Sequence, residues 1–190
     1  MVYNEELAQH HRSALTLADY LTSGHFLSAL FENWESEFLQ MSAYVVLTAF
    51  LFQRGSAESK DPDQRADQDE DPASHIRDPH APLAVRVGGV PRALYSYSLG
   101  IALFVLFMIS FGLHLQNSAA AQAIEAQSHG LPSPDVWDHA LSAQSWFESF
   151  QNWQSEFLST AVLVILSIFL RFRGSPESKP VAAPHSQTGA

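Results

Sequence analysis

The chain has 190 residues, a formal net charge of −10 and no cysteine, which excludes a disulfide framework and any cysteine-based metal site. Its ten Lys and Arg residues form no basic patch interleaved with aromatics, so nucleic acid is not an expected partner. The length would suit one soluble domain, yet the apolar residues gather in three blocks divided by polar, acidic stretches.

The N-terminus, "MVYNEELAQHHRS", has no apolar run after a basic segment and does not read as a signal peptide. Residues 1–36 read as an external segment that ends in an amphipathic helix. Thr16 and Asp19 have the spacing of a capping box, and Leu17, Tyr20, Leu21, Leu27, Leu30, Phe31 and Trp34 recur at helical spacing. Such a helix is expected to lie on or enter the outer membrane interface. The first apolar block, Phe38 to Phe52, is interrupted by Gln40, Ser42 and Thr48 and predicts a span over 37–54. Residues 55–93 are rich in Asp, Pro and Gln from 57 to 82 and read as an acidic disordered linker. The block 94–115 carries no formal charge and matches the roughly 20 residues that cross a ~30 Å hydrocarbon layer as a helix. Tyr95 and Tyr97 suit the headgroup level at its start. Residues 116–155 form a second external segment, with Ser133 as its expected cap, Pro134 at the first helical position, and an apolar stripe of Trp137, Ala140, Leu141, Phe147, Phe150 and Trp153. A third span over 156–173 ends at Arg171 and Arg173, and 174–190 reads as a disordered tail. The expected fold is an all-α transmembrane bundle with three spans. Buried helices of a soluble protein are the competing reading, disfavoured by so long an uncharged stretch at 94–115.

The passage "FENWESEFLQ" at Phe31 returns as "FQNWQSEFLS" at Phe150, and 17 of 30 positions from Phe31 to Lys60 match without a gap. Both passages end alike, in "RGSAESK" at Arg54 and "RGSPESK" at Arg173. An internal duplication follows. Arg54, Lys60, Arg65, Arg77, Arg86 and Arg92 lie between the first and second spans, and Arg171, Arg173 and Lys179 follow the third, whereas 116–156 has neither Lys nor Arg. The positive-inside rule then puts 54–93 and the C-terminus in the cytoplasm. Copy two includes the span 94–115, whose counterpart in copy one would lie before Met1. Two parallel two-span units, four spans in all, are therefore expected of the full-length family.

The stretches "VYNEE", "GHFLSALFENWESEFLQM" and "LFQRGSAESKDP", with their second copy, resemble a family of small bacterial multi-pass membrane proteins of unknown function. The resemblance implies the bacterial cytoplasmic membrane and carries no catalytic residues. No nucleophile elbow, metalloprotease helix or phosphate loop is present, so neither catalysis nor a cofactor is expected. Glu6 with His10, and Glu125 with His129, share a helical face and are the candidates for a metal, set against a plain solvated face. Asn33, Trp34, Glu37, Asn152, Trp153 and Glu156 pair through the repeat. They are either interface anchors, the glutamates at the positive end of each helix dipole, or a site formed where the copies meet. His114 reads as interfacial rather than as a proton relay. The partners expected are the lipid bilayer, with a homo-oligomer or other membrane proteins beside it. Two functions remain: a small structural or interaction protein, or a small-solute or ion transporter or channel-like protein.

Overall fold

The computed structural model describes residues 14–133, 135–175 and 177–188. Among these residues there are seven α-helices and no strand: α1 (Leu17–Leu21), α2 (Gly24–Phe50), α3 (Leu83–Val87), α4 (Gly89–Ser96), α5 (Ser98–Ser128), α6 (Val136–Ala140) and α7 (Ala143–Phe169).

The short helices are set by polar side chains competing for backbone groups. Thr16 caps α1, its hydroxyl oxygen accepting from Asp19 N at 3.2 Å. The Asp19 carboxylate accepts from the Thr16 hydroxyl at 2.6 Å, in place of the return bond to the backbone that a full capping box makes. Ser23 ends α1 and opens α2. Its hydroxyl donates to Tyr20 O at 2.7 Å and accepts from Phe26 N at 3.3 Å. The amphipathic segment is thus two helices with a break at Thr22–Ser23, not one. The second copy breaks at the corresponding place, where Ser142 Oγ accepts from Ser145 N at 3.2 Å. There Asp135, not Ser133, is the residue preceding α6. The Ser133 hydroxyl instead accepts from Gln127 Nε2, and Pro134 lies outside the described residues.

The helix bounds repeat along the chain. α6 and α7 begin and end 119 residues after α1 and α2 respectively. The turns after α2 and α7 also match. Ser59 Oγ accepts from Gln53 N at 2.8 Å and Ser178 Oγ from Phe172 N at 3.0 Å. Ser56 and Ser175 accept from Glu58 N and Glu177 N. Gly55 and Gly174 take φ of 79° and 86°, which favours a residue without Cβ. The recurring Arg-Gly-Ser-x-Glu-Ser-Lys string therefore encodes a closed turn beyond the helix, with the serines satisfying backbone N–H groups. The glycines are not the helix C-caps themselves, since α2 stops at Phe50 and α7 at Phe169.

Boundaries drawn at 36/37, 115/116 and 155/156 fall inside α2, α5 and α7, which run unbroken through them. The polar residues there are helix formers, and nothing in their local chemistry stops a helix. The linker 55–93 carries regular turns. Asp71 accepts from Ala73 N at 2.9 Å at the head of a 3₁₀ turn, Pro72–His75, and Gly88 (φ 75°) divides α3 from α4.

The contacts divide the molecule into two compact units. One gathers the described residues through Leu39 with Val105–Ser155; the other gathers Gln40–Phe104 with those from Glu156 onward. In the first unit Gly24 brings the start of α2 close to α5, where an added Cβ would stand 3.2 Å from the Asn117 carbonyl oxygen. Its buried positions are mostly polar: Glu35, Ser36, Ser110, His114, Ser118, His139, Ser145 and Ser149, against Phe107 and Ala119. In the second unit Gln40 Nε2 donates to Thr160 Oγ1, joining α2 to α7. Tyr44 donates to the Glu58 carboxylate at 2.6 Å. Buried Lys179 donates to the carbonyls of Gly55, His185 and Gln187. That ties residues 179–188 to the turn at Gly55.

Among the described residues two helices are long and apolar enough to cross a bilayer, Ser98–Gln127 and Ala143–Phe169; α2, which carries the span expected over 37–54, is not one of them. Most of the large apolar side chains of those two helices face outward: Ile109 is 52% exposed, Leu158 60% and Ile165 56%, whereas Leu103 and Phe107 are buried.

Candidate functional site

The first unit holds a polar cluster centred on α5. His114 stands one helical turn before Ser118 on one face of α5, so the imidazole and the hydroxyl point the same way. Glu35 on α2 faces them, and both Glu35 and His114 are fully buried. His114 Nδ1 lies 2.6 Å from Glu35 Oε2, a short contact of the kind charge-assisted pairs make. The other Glu35 oxygen, Oε1, accepts from Trp153 Nε1 on α7 at 2.8 Å. One carboxylate thus joins three helices.

The opposite edge of the imidazole meets α7 again. His114 Nε2 is 3.7 Å from Glu148 Oε2, inside ion-pair range but without a hydrogen bond. Glu148 is held by Ser118 Oγ, which donates to Oε2 at 3.2 Å, and by Gln144 Nε2, which donates to Oε1 at 2.8 Å. On α6, buried His139 places Nδ1 3.0 Å from Gln122 Oε1, and burial pulls its pKa below the usual imidazole value. His139 Nε2 and Ser149 Oγ are buried without a hydrogen-bond partner.

Aromatic rings wall the cluster. Trp153 meets Phe107 and Phe150 edge to face, with centroids 6.1 and 5.3 Å away, and Trp146 packs beside Phe111 and Phe150. Rings of low polarity strengthen the electrostatic contacts inside them. Chemically, the arrangement can hold and exchange a proton between an imidazole and two carboxylates.

A sequence profile described as "Domain of unknown function (DUF6766)" matches residues 1–190. The chain belongs to this family. No curated protein and no solved structure matches it.

Of the residues singled out from the sequence of this DUF6766 chain, Trp153 enters the cluster. Its counterpart Trp34 does not; it is 45% exposed and packs edge to face on Phe31 at 5.7 Å. Glu37 and Asn33 are exposed, and Asn33 contributes its carbonyl oxygen to the Ser36 hydroxyl. Asn152 and Glu156 are half-buried, the Glu156 carbonyl accepting from Ser159. Glu125 lies on α5 and His129 just past its end, where His129 N donates to Glu125 O at 3.3 Å. Glu6 and His10 lie outside the described residues. Among those described, no three His, Asp or Glu side chains are placed to hold a metal ion.

Glu35 is the residue that sequence reasoning missed, and His114 the one it read as interfacial. A signal for Glu35 existed. Within the repeated passage, Glu32 and Glu35 of the first copy stand where the second has Gln151 and Gln154. A charge retained in one copy and replaced by its amide in the other marks a carboxylate with a dedicated partner.

Proposed function

We propose that this DUF6766 chain is a multi-pass protein of the bacterial cytoplasmic membrane, built from a duplicated unit. On this reading it serves a non-catalytic, structural or interaction role through its helices. The observation that carries the reading is the inverted distribution of side chains along the long helices. In a soluble protein, apolar residues fill the interior and polar ones face water. Here serines, a histidine and a glutamate are buried, while most of the large apolar side chains of α5 and α7 point outward. Lipid tails solvate such a surface, and polar side chains then join helices to one another. The repeated helix bounds and the repeated Ser-closed turns support the duplication. The placement of Lys and Arg supports a cytoplasmic 54–93 and C-terminus.

Alkaline carbonate extraction followed by thiol labelling tests it. The chain should stay in the membrane pellet. A cysteine replacing Leu141, which is 82% exposed, should react with an impermeant reagent in intact spheroplasts. One replacing the exposed Ser74 should react only after lysis. Release of the chain by carbonate overturns the membrane reading, and labelling of the Ser74 site in sealed cells overturns the orientation.

The second reading, a small-solute or ion transporter or channel-like protein, draws support from the ionisable pair within the helices. Glu35 and His114 are buried on helices that this reading embeds in lipid, and ionisable groups there are costly and commonly functional. Solute flux in proteoliposomes separates the two readings.

A further inference from the structure

The strongest unexplained feature is an imidazole between two carboxylates, one sealed and one reachable from solvent. Glu35 and His114 are fully buried, whereas the Glu148 side chain retains 26% of its exposure. His114 uses only one nitrogen. Nδ1 is engaged by Glu35, and Nε2 is buried with no hydrogen-bond partner although it faces a carboxylate oxygen 3.7 Å away. A purely structural histidine would satisfy both nitrogens, because a buried polar atom left unpaired costs about 1–3 kcal/mol.

We propose that Glu35, His114 and Glu148 form a proton-binding site that is loaded from solvent through Glu148 onto His114 Nε2. The step is a simple transfer. A proton from water reaches the Glu148 carboxylate, which moves from Ser118 toward the ring and passes the proton to the Nε2 lone pair. The neutral imidazole, with its proton on Nδ1, becomes an imidazolium that donates to both carboxylates. The cluster gains one positive charge and no other bond changes. Glu35 fixes the tautomer by accepting from Nδ1, so the vacant lone pair is the one aimed at Glu148. Trp153, donating to the other Glu35 oxygen, reads the change because the charge on its acceptor's partner alters.

The three carboxylates around the ring act in the same direction. Glu32 and Glu35 face it from α2 and Glu148 from α7, while His139 on α6 interacts with the ring and with Glu148. No Lys or Arg is among these neighbours; burial of the ring and the nearby His139 oppose the incoming proton, and the three carboxylates attract it. The proposal goes beyond the membrane reading, and its solvent route rests on that reading's placement of Glu148 in the external segment over 116–155.

The test is a pH titration of the purified full-length chain in detergent micelles, with ¹⁵N-labelled histidine and tryptophan followed by NMR. The His114 ring is assigned by its loss in H114Q and the Trp153 indole by its loss in W153F. The ring Nε2 should titrate, and the Trp153 indole N–H should move with the same midpoint. Glu148→Gln keeps an acceptor for Ser118 but removes the charge, and should weaken proton affinity about tenfold, moving the midpoint about one pH unit lower. Glu125→Gln, elsewhere on α5, should leave it in place. If H114Q does not fold, the ring is assigned by elimination, as the signal that survives single His→Gln replacement of each of the other eight histidines. A His114 ring that titrates identically in wild type and Glu148→Gln overturns the proposal, as does a Trp153 indole that ignores the transition.

Discussion

Replacing Trp153 by Phe and Trp34 by Phe applies one change at equivalent places in the two repeated passages, and the structure assigns the two variants different costs. Phe at 153 keeps the edge-to-face contacts with Phe107 and Phe150 but deletes the donor to Glu35 Oε1. A hydrogen bond to a charged group contributes about 1.5–3 kcal/mol in water-soluble proteins. Contacts between helices in lipid average about 0.6 and reach about 1.7 kcal/mol. Because the acceptor is a fully buried carboxylate, the expected loss sits near the overlap of those ranges, about 1.5 kcal/mol. That is about a tenfold rise in the unfolded fraction. Trp34 has only its ring contact with Phe31 and faces outward, so Trp34→Phe should cost less than about 0.5 kcal/mol. The assay is SDS-induced unfolding in mixed micelles, read by circular dichroism. A double-mutant cycle of Trp153→Phe with Glu35→Leu, which removes the acceptor, isolates the pair and should give a coupling of about 1 kcal/mol. Equal losses at 153 and 34, or additivity in the cycle, would refute the assignment of Trp153 to Glu35.

Three further outcomes follow from other parts of the molecule. Gly174→Ala meets open space at φ 86° and should cost about 1–2 kcal/mol. Gly55→Ala should cost more and open residues 179–188 to limited proteolysis, because its Cβ would stand 2.6 Å from the His185 carbonyl oxygen; equal protection of the two variants counts against the tail contact. His139 is held neutral by burial, with its folded pKa below the unfolded value of 6.5. The unfolded chain therefore takes up a proton first as pH falls, and stability present above about pH 6.5 is lost below it until the folded pKa is passed. The Tm of wild type should drop more steeply than that of His139→Gln as pH falls from about 7.5 to about 5, across the ordinary imidazole range, and parallel slopes contradict this. Cysteines at Gln40 and Thr160, whose native side chains are hydrogen bonded, should be joined within one chain by a short bis-maleimide; adducts only between chains point instead to a homo-oligomer.

The helices were legible because their signals are local. Apolar runs mark α5 and α7, the Thr16–Asp19 spacing marks the head of α1, and the repeat makes each copy a check on the other. Helix ends were less legible. The glutamates and tryptophans of "NWESEF" look like an interface stop, but no residue there breaks a helix, so α2 and α7 continue through it. The breaks that do occur, at Ser23 and Ser142, come from serine hydroxyls capturing backbone groups, a competition that hydrophobic periodicity does not register. The cluster was least legible, since Glu35 and His114 are 79 residues apart and each taken alone suits a membrane edge. Their pairing depends on helix packing, to which only the Glu35–Gln154 difference gave a clue.

The Glu35 carboxylate has a consequence for the order in which the chain is made. Its two partners are encoded after it, His114 by 79 residues and Trp153 by 118. At synthesis rates of about 5–20 residues per second, Trp153 emerges roughly 6–24 s after Glu35. Until His114 emerges the acid has neither partner and must remain hydrated or carry a proton, because an unpaired carboxylate is costly to bury. The helix Gly24–Phe50 therefore cannot settle when it is made. It waits first for α5, which brings His114, and then for α7, which brings Trp153 to the other carboxylate oxygen.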